Sequence, residues 1–181
     1  LQRIRKSTEF YKVNEAQLAY YDQWCYPVLR ELVVYSDWKN DYKKLCGLMR
    51  PAITPEQARK AVETLLEIKM LSKSDDGIYT QGSQVVTAEK IPSYVYKNSR
   101  KEFILKAIDA SDNFVKSERH IAYSILAMSD STFAEAKKLL DEVRKKILVL
   151  AMEDEQVDRI FSLNSQLFPL SHPLPKNENN K

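Results

Sequence analysis

The side chains that most often perform chemistry are few in this sequence, and they are scattered. Histidine occurs twice, at His120 and His172, and cysteine twice, at Cys25 and Cys46. A zinc site draws three or four such ligands together. Neither histidine has a partner at ligand spacing, and the cysteines form no CxxC knuckle and no disulfide framework. A thiol nucleophile needs an activating base, yet nothing in the spacing brings Cys25 or Cys46 to His120. The acidic pairs Asp75-Asp76 and Glu153-Asp154 fall at an expected turn and an expected helix end, ordinary places for carboxylates, so no general acid or base is assigned.

Glycine excludes the most: only Gly47, Gly77 and Gly82 are present. A dinucleotide fingerprint, a phosphate-cradling loop and a GxSxG elbow each need glycines clustered where backbone turns sharply or approaches phosphate. Hence no catalytic, metal or cofactor-binding residue is assigned, no cofactor is implied, and a non-enzymatic protein is expected.

The bulk properties fit a cytoplasmic, soluble chain. Its 181 residues suffice for one domain or two small ones. Hydrophobic residues make up 44% and charged residues 29%, with a net charge of +3, milder than a dedicated nucleic-acid binder carries. Two free thiols suit a reducing compartment. No apolar run approaches the length of a membrane span, and no signal peptide opens the chain. The first residue is Leu1 rather than Met, so a longer parent protein is expected.

The elements follow from local signals. Pro27 suits a first helical turn, which predicts a helix through "VLRELVVYS"; the aromatic stretch Ala16–Tyr26 before it reads equally as strand or helix. A short helix is expected over Asp41–Met49, ending near Arg50-Pro51. Thr54, Pro55 and Gln57 then write a capping box, and Ala58, Ala61, Val62, Leu65 and Leu66 share one face of the helix that follows. Asp76-Gly77 marks a tight hairpin pairing Leu71–Ser74 with Ile78–Gln81, and Gln84–Ala88 reads as extended.

A helix from about Ser93 to Asp112 places Tyr96, Ser99, Phe103 and Ala107 inward. Arg119–Met128 and Asp158–Phe168 alternate like strands. The helix between them, about Ser131 to Asp154, carries the apolar stripe Phe133, Ala136, Leu140, Val143, Ile147 and Leu150. Such a helix and a ten-residue strand both span about 33 Å, so a parallel pair with a right-handed crossover is expected. The resulting fold class is α+β: a winged-helix-like module of three helices plus a hairpin over 14–92, then a helix and a β-α-β unit over 93–170 packed on it. The polar, proline-broken tail, 171–181, is expected to be disordered.

In a winged helix the third helix would enter the major groove, and phosphate neutralisation demands outward lysine and arginine. Here the outward face carries Glu56, Arg59, Lys60, Glu63 and Glu67, and the opposite charges fall at i,i+4 where they satisfy one another. Asp75 and Asp76 at the hairpin tip would repel phosphate. Weak or absent DNA contact by this fragment is therefore expected. If it did bind DNA directly, through the helix at 54–70 and the wing at 71–81, then Arg59, Lys60, Lys69 and Lys73 would be the contacts. Further basic residues on the later helices are interleaved with acids and read as solvated faces. Among the aromatics, Tyr20, Tyr21, Trp24 and Trp38 are candidates for a partner surface, because Tyr and Trp bury area while keeping a hydrogen bond; core packing is the plainer use.

Four stretches in this order, "YYDQWCYPVLREL", "ITPEQARKAVETLLEIKMLSKSDDGIY", "NSRKEFILKAID" and "RIFSLNSQLFPLS", resemble a bacterial paralogous family over roughly Tyr20 to Ser171. Its members join an amino-terminal region of helix-turn-helix character to this carboxy-terminal domain of unknown function. The family usually carries glycine before the wing, where this chain has Ile68-Lys69-Met70-Leu71. The resemblance implies a transcription regulator, with no established activity, cofactor or binding residue to transfer. It also implies that DNA contact resides in an amino-terminal part preceding Leu1. On this reading the chain is a regulatory or dimerisation domain that forms a homodimer and needs neither membrane nor metal.

Overall fold

The structure is a computed structural model that describes residues 15–82 and 93–175. In chain order the elements are α1 (Glu15–Asp22), α2 (Cys25–Tyr35), α3 (Tyr42–Gly47), α4 (Pro55–Glu67), β1 (Leu71–Lys73), β2 (Tyr79–Gln81), α5 (Ser93–Asn113), a 3-10 turn at Lys116–Glu118, and α6 (Asp130–Met152). This is a helix-dominated α+β chain with a small two-stranded antiparallel sheet. The described residues up to His120, with Val157–Ser162, form one compact unit; Ile121–Gln156 and the described residues from Leu163 onward form a second.

In the first unit the local signals largely become structure. The ambiguous aromatic stretch resolves as helix through Asp22, and α2 begins at Cys25 with Pro27 inside its first turn. Asp41 caps α3 by accepting from the Lys43 and Lys44 amides. Thr54 and Gln57 close the capping box of α4, with the Gln57 amide on Thr54 Oγ1 at 3.2 Å and the Thr54 amide on Gln57 Oε1 at 2.9 Å. One face of α4 then buries Ala58, Ala61, Val62 and Leu65 against α2 and α3. Full burial of a Val or Leu side chain contributes about 1.5–3 kcal/mol, so this stripe holds the three helices together. Tyr26, Leu29, Leu45 and Leu71 complete the same core.

The exit from α4 is a tight left-handed cap. The Met70 amide donates to Leu65 O at 2.9 Å and the Lys69 amide to Leu66 O at 3.1 Å, the paired bonds of a Schellman motif. Lys69 takes φ 58° to make them, and buried Met70 and Leu65 supply the apolar part. Chain direction reverses there into β1, which pairs with β2 in the register Leu71–Gln81, Ser72–Thr80 and Lys73–Tyr79. Gly77 sits in the turn at φ +82°, so the Asp-Gly signal is realised with a slightly shorter ladder than predicted. Arg30 of α2 ties the hairpin down by donating to Met70 O and Gln81 Oε1, both at 3.3 Å. Helix α5 packs on α1, burying Val95, with Tyr96, Ser99, Phe103 and Ala107 half-buried as the periodicity predicts.

After α5 the expected β-α-β arrangement is not formed among the described residues. Helix α6 is present, capped by Ser129, whose Oγ accepts from the Thr132 amide at 3.2 Å. The segments around it, Arg119–Met128 and Asp158–Phe168, have no ladder, and β1–β2 is the only sheet among the described residues. Alternating residues favour an extended backbone, but a strand is completed by side-chain pairs across a ladder. Tyr123 and Ile125 are 90% and 76% exposed, so no neighbour supplies that packing. The predicted extended stretch Gln84–Ala88 lies outside the described residues, as does the tail from Lys176 onward; residues 171–175 are exposed.

Candidate functional site

Exposed cations gather on one aromatic run in the first unit. The Trp38 ring lies 5.3 Å from Tyr42 and 5.4 Å from Tyr79. The Arg59 guanidinium lies 5.3 Å over Tyr42, and Lys73 Nζ lies 5.0 Å over Tyr79. Two of the four candidate phosphate contacts therefore flank a single three-ring stack. Asn40, at φ 58° in the turn before α3, anchors it by accepting from Tyr79 Oη at 3.1 Å and Lys73 Nζ at 3.5 Å. Lys60 and Lys69 are exposed, the latter at the left-handed cap.

The face around these cations is mixed in sign. A shallow depression over the start of α4 is lined by Pro55, Glu56, Arg59, Lys60 and Glu63. The predicted i,i+4 pairing does not close: among the described residues no ion pair joins Glu56 to Lys60 or Arg59 to Glu63. Arg59 turns to the Tyr42 ring instead, where a flat guanidinium gains from the π face. The charges still alternate, so the field over α4 largely cancels at any distance beyond about 8–10 Å.

Of the four candidate partner-surface aromatics, Trp38 is 3% exposed and belongs to the core, its Nε1 donating to Val33 O at 3.3 Å. Tyr20, Tyr21 and Trp24 are half-buried. Tyr20 and Tyr21 meet edge to face at 4.8 Å, and burial pushes the Tyr21 hydroxyl up to about 12. Lys106 of α5 sits 4.3 Å over the Trp24 ring, so these rings serve the packing of α1, α2 and α5.

Two polar arrangements emerge that spacing alone does not announce. Glu31 accepts from Gln81 Nε2 and pairs with Arg30 at 3.3 Å. Its carboxyl is raised above the ordinary range, chiefly by burial, with Arg30 and Gln81 pulling the other way. Glu118 is held by Arg159 at 2.7 Å and Arg50 at 3.2 Å; those two hydrogen bonds, Arg159's first, draw its carboxyl below 4.5. Arg50 also stacks 3.6 Å over Phe114 and donates to Asn113 O at 3.3 Å. The partners lie 68 and 41 residues away along the chain, beyond any local pattern.

Cys25 and Cys46 are buried and His120 is exposed. Burial holds the Cys25 thiol above its usual range, the opposite of an activated nucleophile. Among the described residues no His, Cys, Asp and Glu gather in threes at metal-holding geometry, and no helix is long and apolar enough to cross a membrane.

Helix α6 has no buried residue. Its stripe positions Leu140, Val143, Ile147 and Leu150 are 38%, 52%, 40% and 68% exposed, on a helix whose apolar periodicity ordinarily marks a buried face.

The fold defines a helix-dominated α+β chain with a small two-stranded antiparallel sheet. The chain matches a domain of unknown function (DUF4423) over residues 4–170 and belongs to that family. No curated protein and no solved structure matches it.

Proposed function

We propose that this chain is a non-enzymatic regulatory or dimerisation domain of a bacterial transcription regulator, forming a cytoplasmic homodimer that sets the spacing of two amino-terminal DNA readers. The observation carrying this reading is α6: a 23-residue helix with an apolar stripe and no buried residue. Contiguous apolar surface of that kind marks sites of association. The lack of clustered glycines in the sequence fits a protein that binds rather than transforms. The regulator context rests on the resemblance carried by the four quoted stretches.

The order α2, α3, α4 and hairpin supports reading 14–92 as a winged-helix module. Direct DNA binding is the second reading, favoured by Arg59 and Lys73 flanking the Tyr42–Trp38–Tyr79 stack. Against it stand three acids and two bases on the outward face of α4, and the paired aspartates of the hairpin tip. Titrating the chain with random duplex DNA at low salt separates the two. The dimerisation reading expects no tight complex; sub-micromolar affinity with a steep salt slope, lost in Arg59→Ala and Lys73→Ala, would put DNA binding first. Sedimentation equilibrium tests the leading reading directly, and a strict monomer at high concentration removes it.

A further inference from the structure

Within α6 and just past its end, charge is laid out in blocks. Arg144-Lys145-Lys146 precede Ile147-Leu148-Val149-Leu150-Ala151-Met152, and Glu153-Asp154-Glu155 follow. The six apolar residues rise about 9 Å along the axis, so a cationic and an anionic block stand at opposite ends of a short apolar barrel. Resting on the dimerisation reading above, we infer that a second copy of this chain binds here, its α6 antiparallel to the first across Ile147–Met152.

Three observations support this occupant. The first is charge complementarity. An antiparallel overlay centred between Val149 and Leu150 brings the basic block of each copy alongside the acidic block of the other, at both ends at once. A parallel overlay sets like on like, which destabilises neighbouring helices. The second is that carboxylates at a helix C-terminus face the negative end of the backbone dipole, so cations brought from outside relieve them. Among the described residues none of these three bases or three acids makes an ion pair. The third is exposure. Leu148, Val149, Leu150 and Met152 are 50%, 50%, 68% and 84% exposed, apolar side chains that a facing helix would cover on the side turned toward it.

The test is a charge exchange on the full chain, read by sedimentation equilibrium, with circular dichroism to check helix content. One variant carries Arg144→Glu, Lys145→Glu and Lys146→Glu; the other carries Glu153→Lys, Asp154→Lys and Glu155→Lys. All six positions are exposed, so both variants keep their folded core. Each alone is expected to weaken the dimer about tenfold or more, and an equimolar mixture to recover near-native affinity as a heterodimer. The wild-type dimer should also loosen as salt is raised. A wild-type dimer indifferent to salt and to both variants overturns the antiparallel α6 contact and leaves dimerisation standing. A wild-type monomer throughout removes both, with the apolar stripe then covered within its own chain.

Discussion

Lys69 occupies the left-handed position of the α4 cap at φ 58°, the position where the resembled family usually places glycine. A side chain there costs about 1–2 kcal/mol, partly offset because glycine loses more entropy on folding. Lys69→Gly should therefore raise stability by up to about 1 kcal/mol, read as a higher urea midpoint at unchanged slope. A lower midpoint would mean the lysine stem contributes packing that its exposure does not suggest. Gly82 is the converse. A Cβ there would stand 1.9 Å from Lys69 O and 2.6 Å from Lys69 C, because the Gly82 amide closes on Met70 O at 2.9 Å. Backbone cannot swing aside like a side chain, so Gly82→Ala should cost about 1–3 kcal/mol or more and expose the hairpin amides to exchange. The sequence made Gly77 readable because a two-residue turn is local. The demand on Gly82 comes from the chain a dozen residues earlier, so no local pattern reveals it.

At the scale of elements, legibility follows the same division. Helices α5 and α6 are readable to within a residue or two and α4 to within three, since caps and periodicity are properties of one segment. The hairpin was readable because its turn and both strands are contiguous. The expectation that fails is the pair of strands at Arg119–Met128 and Asp158–Phe168, where alternation is local but pairing depends on a partner. Of the candidate site, Arg59, Lys60, Lys69 and Lys73 are exposed, whereas the ring cluster joining Arg59 to Lys73 depends on Trp38 and Tyr79, distant in sequence. The Glu118 clamp is likewise non-local, and it carries a pH signature. Its folded carboxyl is lowered from 4.5, so its contribution is present above that value and is lost as pH falls through the lower folded one. Replacing it by Glu118→Gln should flatten that part of the acid-unfolding curve while leaving stability near neutrality only modestly reduced, since both arginines that hold it are exposed. An unchanged acid limb would assign the titration elsewhere.

At the scale of the molecule, burial is confined to one unit. Every fully buried hydrophobic residue described lies between Cys25 and Val95, and none lies beyond His120. A 23-residue helix with no buried face gains little from propensity alone, so α6 should draw its stability from association. Mass action then makes that stability depend on protein concentration. The two tryptophans, Trp24 and Trp38, both belong to the first unit and report it selectively, while far-ultraviolet circular dichroism also reports α6. On heating, tryptophan fluorescence should give a midpoint independent of concentration. The dichroism should add a second transition that rises by about 5 °C for each tenfold increase in concentration, the size expected for a dimer of units this small. Two coincident transitions, both indifferent to concentration, would mean that α6 is stabilised by its own chain. The apolar stripe would then be part of a folded monomer, and the proposed α6 contact between two copies would fall with it.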